Sequence, residues 1–182
     1  MPVRPPLAAP AVDRRPGPRP TAVLSWLGAA VRLVLAGVWV VAGSLKLPDP
    51  AAAERAVRAY QLAPEWLVPA LAFGLPVLEI AVGALLLLGA FVRPAAVLSA
   101  VLLVGFTAAV TSAWARGLTI DCGCFGGGGQ VDAGQTRYLG EIVRDVALLG
   151  ASLFLVARPR TPLALLDRLR PGSREDDHGA GR

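Results

Sequence analysis

Long runs of apolar residues alternate with short polar gaps along most of this chain. The runs cover about residues 22–47, 67–91, 94–114 and 138–157. Each reaches the roughly 20 residues that a helix needs to cross about 30 Å of hydrocarbon at about 1.5 Å per residue. Proline in the second run is compatible with a membrane helix, because neighbouring helices can satisfy the freed backbone groups. The pattern predicts an all-α membrane protein with four spans.

The polar gaps predict how these spans are connected. Pro48-Asp49-Pro50 ends the first run, and Arg158-Pro159-Arg160 ends the fourth, since proline cannot continue a helix. Residues 51–61, with the sequence AAAERAVRAYQ, predict a short amphipathic helix at the membrane surface. Residues 115–137 form the longest gap and contain both cysteines of the chain.

Both ends of the chain differ from its apolar centre. Residues 1–21 are rich in proline and arginine, and residues 158–182 are basic and then acidic. Neither segment can bury enough apolar area to offset the entropy of ordering it. We predict two largely disordered tails around one membrane domain at residues 22–157. Arg14-Arg15 resembles a twin-arginine export signal, but the following run is too long for a signal-peptide core, so an uncleaved first span is favoured.

Aromatic residues lie at several ends of the runs. They are Tyr60, Trp66, Trp114 and Tyr138. Tryptophan and tyrosine are enriched where membrane meets water, so an interfacial position is predicted for these rings.

Composition and charge agree with a membrane protein of defined orientation. Only 17% of the residues are charged, against about 25% in an ordinary soluble domain. The net charge of +5 comes mostly from arginines in the tails, which membrane topology explains better than nucleic-acid binding. Eleven Lys and Arg side chains lie in the tails and at Arg93, whereas five lie on the opposite face. Both termini are therefore predicted in the cytoplasm and residues 115–137 outside it.

Both cysteines lie in the segment Asp121-Cys122-Gly123-Cys124-Phe125-Gly126. Because this segment is predicted to face the oxidising side of the membrane, its thiols can form a disulfide. The ring closed by such a pair is small and strained, and strained exposed disulfides are more easily reduced. Gly123 relaxes the backbone between the cysteines, and the glycines that follow leave the loop free to approach another protein. We therefore predict a redox-active Cys122/Cys124 pair.

Other interpretations of the cysteine pair stay open at this stage. A structural disulfide is one, although it would add little stability, because loop-closure entropy grows with loop length. A zinc site takes about four ligands, and only the two cysteines and Asp121 are close in sequence. No bound metal or other cofactor is predicted for the chain alone, while transient copper or a site shared with another protein remains an alternative.

Charged side chains inside the predicted spans are expected to face inward and pair, because each costs several kcal/mol when it faces lipid. They are Arg32, Glu79, Arg144 and Asp145, with Glu141 near the outer end of the fourth span. Counting from the span ends puts Glu79 near mid-membrane and allows it to pair with Arg32 or with Arg144. A buried ion pair that fixes helix register is favoured over a proton-coupling or quinone-coupling site below the cysteines. Lys46 is predicted to extend to the interface.

Several of these residues resemble the MauE/DoxX group of small four-span membrane proteins, and most closely its methylamine-utilisation MauE branch. The matching residues of the first span are Arg32, Gly37, Ala42-Gly43, Lys46-Leu47 and Pro48-Asp49-Pro50. Those of the second span are Leu78-Glu79 and Gly83. The most specific match is the segment Asp121 to Gly126, followed by Arg144-Asp145. The resemblance covers about Ala22 to Ala157.

The resemblance implies a DoxX-like four-helix bundle in the inner (cytoplasmic) membrane of a bacterial cell. It implies a role in maturing a disulfide-rich periplasmic enzyme, which for MauE is the small subunit of methylamine dehydrogenase. The expected partners are the lipid bilayer, a thioredoxin-like extracytoplasmic protein and a disulfide-containing client, with no nucleic acid. The residues of this chain do not themselves point to methylamine, and that part is a family association.

Together these observations predict a membrane thiol–disulfide redox accessory protein. Cys122 and Cys124 would exchange disulfides with a partner through a mixed disulfide. No classical enzyme signature accompanies the pair, so enzymatic activity is left open. Two alternatives come from other classes: a non-catalytic membrane scaffold or subunit, and a small-solute transporter suggested by the intramembrane charges.

Overall fold

In a computed structural model, the protein is a bundle of helices with one small β-hairpin. The structure describes residues 20–123, 127–132 and 134–159. Cys124, Phe125, Gly126 and almost all of the two predicted disordered tails lie outside this part of the chain.

Five helices occur within the described residues. They are α1 (Pro20–Lys46), α2 (Pro50–Ala59), α3 (Val68–Leu88), α4 (Val92–Ala115) and α5 (Tyr138–Ala157). A single 3-10 turn at Glu65–Leu67 leads into α3. The long helices α1, α3, α4 and α5 lie on the four apolar runs of the sequence, because helix formation satisfies the backbone of an apolar segment without water.

Three stretches of these helices are long and apolar enough to cross a membrane. They are Val23–Lys46, Glu65–Leu88 and Val92–Ala115. A helical membrane protein with several passes is therefore confirmed. The helix α5 has 20 residues, but three charged side chains, Glu141, Arg144 and Asp145, set it apart from the other three.

The long helices enclose one hydrophobic core. Its buried members come from α1, α3, α4 and α5, and they are Leu35, Ala36, Trp39, Val82, Leu86, Ala95, Ala96, Leu103 and Leu155. The closest approach is between α1 and α3. A Cβ built on Gly43 would lie 2.6 Å from the Pro76 carbonyl oxygen, and one on Gly83 would lie 2.7 Å from Val40 Cγ2. These two glycines let the backbones of α1 and α3 meet, as small residues do in membrane bundles.

A buried chain of hydrogen bonds links three helices inside this core. Trp39 Nε1 of α1 donates to Ser99 Oγ of α4 at 2.8 Å. The Ser99 and Ser152 hydroxyls are also 2.8 Å apart, and Ser152 lies on α5. Because each of these three side chains has a hydrogen-bond partner, the polar groups fix the register of the helices at little cost in desolvation.

The predicted amphipathic helix is confirmed as α2, which lies between the ends of α1 and α3. Asp49 caps it by accepting the backbone N–H of Ala52 at 2.8 Å, and Pro50 occupies its first turn, where a missing N–H costs nothing. Arg58 donates to Glu54 at 3.0 Å and to Glu65 at 2.9 Å. These contacts tie α2 to the turn that precedes α3.

Candidate functional site at the cysteine hairpin

The cysteine segment lies at the end of a two-stranded antiparallel hairpin. The strand β1 (Ile120–Asp121) pairs with β2 (Gly129–Gln130). Cys122 follows β1 directly and is half-buried. Gly123 has a φ of 66°, which lies in the left-handed region that favours glycine. The chain can therefore turn sharply next to Cys122.

One face of the hairpin rests on α2. A Cβ built on Gly123 would lie 3.1 Å from Ala56 Cβ, and one built on Gly128 would lie 2.6 Å from it. The Tyr60 hydroxyl at the end of α2 donates to the Cys122 carbonyl oxygen at 3.2 Å. Gly123 and Gly128 thus permit close docking on α2, whereas a Cβ on Gly129 would meet nothing within 4 Å. That the loop is free to approach another protein stays a prediction.

The other side of the hairpin is fixed to α4 and α5. The Ile120 N–H donates to the Tyr138 hydroxyl at 3.1 Å, and that hydroxyl in turn donates to the Leu118 carbonyl oxygen. Ile120 and Tyr138 are buried together with Val110 and Ala113. The strand that leads to Cys122 is therefore held by apolar contacts and by hydrogen bonds at once.

Two carboxylates lie beside the Cys122 thiol. Ligand atoms of Asp121, Cys122 and Glu141 all lie within 4.8 Å of one another. The Cys122 thiol is hydrogen-bonded to the Glu141 carboxylate, and Asp121 Oδ1 accepts the Gly123 N–H at 3.4 Å. Three such ligands are fewer than a closed zinc site uses. A thiol in contact with a carboxylate can instead pass its proton to oxygen.

The charged residue Glu79 pairs with Lys46, and with neither of the two arginines predicted for it. Lys46 Nζ lies 2.6 and 2.8 Å from the two Glu79 carboxylate oxygens. The Glu79 side chain is fully buried and that of Lys46 is 16% exposed. The prediction that Lys46 extends to the interface is therefore wrong, because a buried carboxylate offers its ammonium a stronger partner than the headgroup region does.

Arg32 binds backbone carbonyls at the C-terminal end of α3. Its Nη1 donates to the Leu86 carbonyl oxygen at 2.6 Å and to that of Leu87 at 3.1 Å. Carbonyls in the last turn of a helix lack intrahelical donors and carry the negative end of its dipole. The Arg32 guanidinium satisfies them from α1, and Gly89 ends α3 in a left-handed conformation.

Arg144 and Asp145 pair with each other on α5. Arg144 Nη2 lies 2.9 Å from Asp145 Oδ1, and Asp145 is buried. Its other oxygen, Oδ2, is buried with no hydrogen-bond partner among the described residues, and the same holds for Glu141 Oε2. Because Glu141 and Asp145 are four residues apart, they share one face of α5.

A cavity of about 440 Å³ connects the cysteine hairpin with the Lys46–Glu79 pair. Its lining includes Leu45, Lys46, Ala52, Ala53, Ala56, Tyr60, Leu62, Leu71, Ala72, Leu75, Pro76, Glu79, Phe106, Ala109, Cys122 and Gly123. Most of these side chains are apolar, and both Cys122 and the Lys46–Glu79 pair line the cavity. Asp49 and Arg55, whose charged groups lie 3.8 Å apart, also line it. The size falls within the range of about 300–1,000 Å³ that is typical of small-molecule sites.

Three residues contribute to this site in ways that the sequence did not predict. Tyr60 and Tyr138 were assigned to an interfacial belt, yet both turn inward to hold the hairpin, and Tyr138 is only 7% exposed. Glu141 was recognised only as a charge near a helix end. The only feature of the sequence that indicated a role for Glu141 was its position three residues before the Arg144-Asp145 pair. That spacing puts the three charged residues on one face of a helix.

Comparisons with known proteins place the chain in a family. A family model described as "Methylamine utilisation protein MauE" matches residues 24–158. The protein described as "Methylamine utilization protein MauE" from Paracoccus denitrificans is 39% identical over 100 residues. The aligned part is 54% of this chain and 54% of that protein, so the chain spans about half the length of the relative. No solved structure matches the chain. The resemblance predicted for about residues 22–157 is confirmed.

Proposed function

The chain belongs to the MauE family of methylamine utilisation proteins, and from this membership we propose that it is a membrane thiol–disulfide redox accessory protein. It supports the maturation of a disulfide-containing extracytoplasmic protein within methylamine utilisation. The observation that carries the proposal is the position of Cys122. This thiol is hydrogen-bonded to Glu141, and a second thiol, Cys124, lies two residues further along the chain.

The proposed topology has four spans with both termini in the cytoplasm. The fourth span is α5, whose Ser152 shares the buried hydrogen bond with Ser99 of α4. Its three charged residues face protein on this account: Asp145 is buried and pairs with Arg144, and Glu141 contacts Cys122. Four spans, together with the excess of arginine in the tails, put the hairpin on the extracytoplasmic side.

The proposed chemistry is disulfide exchange in two steps. A client thiolate attacks one sulfur of the Cys122–Cys124 disulfide, that S–S bond breaks, and a mixed disulfide forms. A second client thiolate then attacks the mixed disulfide and releases the pair as two thiols. The client loses two electrons and two protons, and the cysteine pair gains them. Glu141 is placed to exchange the proton of Cys122 at each turnover.

The fixed hairpin favours catalysis over a purely structural role for the cysteines. The segment around Cys122 is already held by Ala56 and Tyr60 of α2 and by Tyr138 of α5. A disulfide that closes so small a ring adds little further order. A strained pair at the edge of a rigid support is instead suited to exchange with a docking partner.

Trapping of a mixed disulfide tests the proposal. In the Cys124→Ser variant, the Cys122 thiolate can still attack a disulfide of the oxidised client, which is the reverse of the second step, and one client sulfur leaves as a thiol. Because the neighbouring thiol that would displace the client from Cys122 is absent, a dithiothreitol-sensitive adduct is expected in cells that use methylamine. The double variant Cys122→Ser/Cys124→Ser is the matched control and forms none. Client maturation that proceeds normally in the double variant would overturn the proposal and favour a non-catalytic scaffold.

A further inference from the structure

The cavity between the cysteine hairpin and the Lys46–Glu79 pair has the chemistry of a binding site. Its walls are mostly alanine, leucine, proline and phenylalanine, which suit an apolar ring. Cys122 and the Lys46–Glu79 pair are among its polar lining residues, together with Tyr60 and with Asp49 and Arg55 at α2. A ligand that fills the cavity therefore meets a thiol and a hydrogen-bond donor.

The Lys46 ammonium retains a donor for such a ligand. An ammonium has three N–H groups, and the two Glu79 oxygens accept from it at 2.6 and 2.8 Å. The nitrogen also lies 5.7 Å from the centre of the Phe106 ring, another lining residue. An acceptor such as a carbonyl oxygen can bind here while the ion pair stays intact.

The cavity also reaches the outer surface of the bundle between α1 and the segment after α2. Leu45 and Leu62 both line it, and they are 50% and 56% exposed. Leu45 is in the last turn of a membrane-crossing helix, so its exposed face meets lipid. A hydrocarbon tail can leave the cavity at this point.

We propose that this cavity binds the head group of a lipid-soluble quinone, the two-electron acceptor that reoxidises the cysteine pair. The proposal rests on the proposed function, because it names the oxidant that disulfide exchange requires. A quinone ring has apolar faces, carbonyl oxygens for Lys46 and a tail soluble in the membrane. A phospholipid acyl chain would fill the walls equally well, but it offers no acceptor to Lys46 and takes no electrons from Cys122.

The redox step balances without another reactant. The thiols of Cys122 and Cys124 lose two protons and two electrons as their S–S bond forms, and the quinone gains both and leaves as the hydroquinone. Cys122 lines the cavity, so the residue that carries the thiol borders the bound ring. The side chain of Cys124 lies outside the described residues and enters this step only through its thiol.

Polar groups lie between Cys122 and the Lys46–Glu79 pair. Glu141 accepts from Cys122, and Asp145 lies one turn further along α5. A void of about 30 Å³ is lined by Asp145, Lys46 and Glu79. It exceeds the roughly 10–15 Å³ that one water occupies on this measure. The proton lost by Cys122 can therefore travel to the quinone oxygen held by Lys46 by way of Glu141, Asp145 and a water in this void.

The binding test uses the full chain in lipid nanodiscs with decylubiquinone as the probe. Wild type is expected to retain the quinone above the level of empty nanodiscs. Ala109→Phe fills the cavity from α4 and is expected to weaken binding by at least about tenfold. Ala108→Phe is the matched control, because Ala108 is exposed and does not line the cavity; it should bind as wild type. Retention equal to that of empty nanodiscs, or unchanged binding by Ala109→Phe, overturns the proposal.

The redox test separates this proposal from the proposed function. Reduced wild type under anaerobic conditions should yield one hydroquinone per cysteine pair. Cys124→Ser keeps Cys122 in the lining of the cavity and should bind decylubiquinone yet reduce none. Asp145→Asn should bind normally and reduce it more slowly. Binding without thiol oxidation in wild type would overturn the acceptor role. Because retention of the quinone is measured without any thiol exchange, a failure to trap a client would leave the binding result standing by itself.

Discussion

Lys46 and Glu79 form an ion pair between the last turn of α1 and the middle of α3, with Nζ 2.6 and 2.8 Å from the two carboxylate oxygens. Glu79 is fully buried. Desolvation of two charges is expensive, and their attraction compensates for it only when the geometry is close. The pair therefore stabilises the α1–α3 contact only while both charges are present. Replacing one partner alone leaves the other charge buried without a counter-ion.

We predict that Glu79→Gln lowers the free energy of unfolding by about 3–5 kcal/mol, because it leaves the Lys46 charge buried without its counter-ion. The double variant Lys46→Met/Glu79→Leu should recover most of that loss. Chemical unfolding in detergent micelles measures both. Glu54→Gln removes a partly exposed ion pair on α2 and is the control. It should change the free energy of unfolding little. A Glu79→Gln variant as stable as wild type would contradict this account.

A second prediction concerns the glycines at the α1–α3 contact. Gly43→Ala should destabilise the bundle by about 1–3 kcal/mol, because the added methyl group meets the Pro76 backbone and must push the helices apart. Gly37→Ala lies on the same helix with nothing within 4 Å. It should leave stability unchanged or raise it by up to about 1 kcal/mol through helix propensity. Thermal unfolding of both variants gives the comparison, and equal effects would refute the close-packing explanation.

A third prediction concerns the contact of the hairpin with α2. Ala56→Leu should displace the hairpin, because Gly123 and Gly128 leave no room for a larger side chain. In a Cys124→Ser background, the Cys122 alkylation rate should rise about tenfold, which corresponds to about 1.4 kcal/mol of lost docking energy. Ala51→Leu changes an exposed position of α2 and should leave the rate unaltered. An unchanged rate in Ala56→Leu would mean that the docked hairpin does not limit access to Cys122.

The orientation in the membrane gives a fourth prediction. Single cysteines are introduced into a Cys122→Ser/Cys124→Ser background at exposed positions of the loops. A membrane-impermeant maleimide added to intact spheroplasts should label Gln130→Cys, whereas Arg93→Cys and Arg158→Cys should react only after lysis. Labelling of Arg158→Cys in intact spheroplasts would show that α5 does not cross, and labelling of Arg93→Cys would reverse the topology.

Hydropathy and helix punctuation were sufficient to predict the long helices and α2. An apolar run of about 20 residues has one stable backbone conformation in lipid, the helix. Pro48-Asp49-Pro50 ends α1 because proline cannot continue a helix, and its aspartate caps α2. Within the site, the segment that carries Cys122 was also recognisable, because both cysteines of the chain lie in one polar, glycine-rich gap between apolar runs.

The partners of the charged and aromatic side chains were not predictable in this way. Counting residues along each span placed Arg32 close to Glu79, but the helices pack with an offset that brings Lys46 to Glu79 and Arg32 to the end of α3. The hairpin was missed because its strands have two residues each and no alternating pattern. Tyr60 and Cys122 are 62 positions apart, a distance over which sequence periodicity carries no information.

The sequence separation of the contacts around Cys122 also imposes an order on biosynthesis. The hairpin rests on α2, which emerges from the ribosome early, while Tyr138 and Glu141 are among the last membrane residues to be made. Chains fold from the N-terminus as they are synthesised, so Cys122 is synthesised before the α5 residues that surround it. Glu141, which is hydrogen-bonded to the Cys122 thiol, arrives only when α5 has joined the bundle. The surroundings of Cys122 are therefore complete only at this last step, and a nascent or truncated chain carries the cysteine without them.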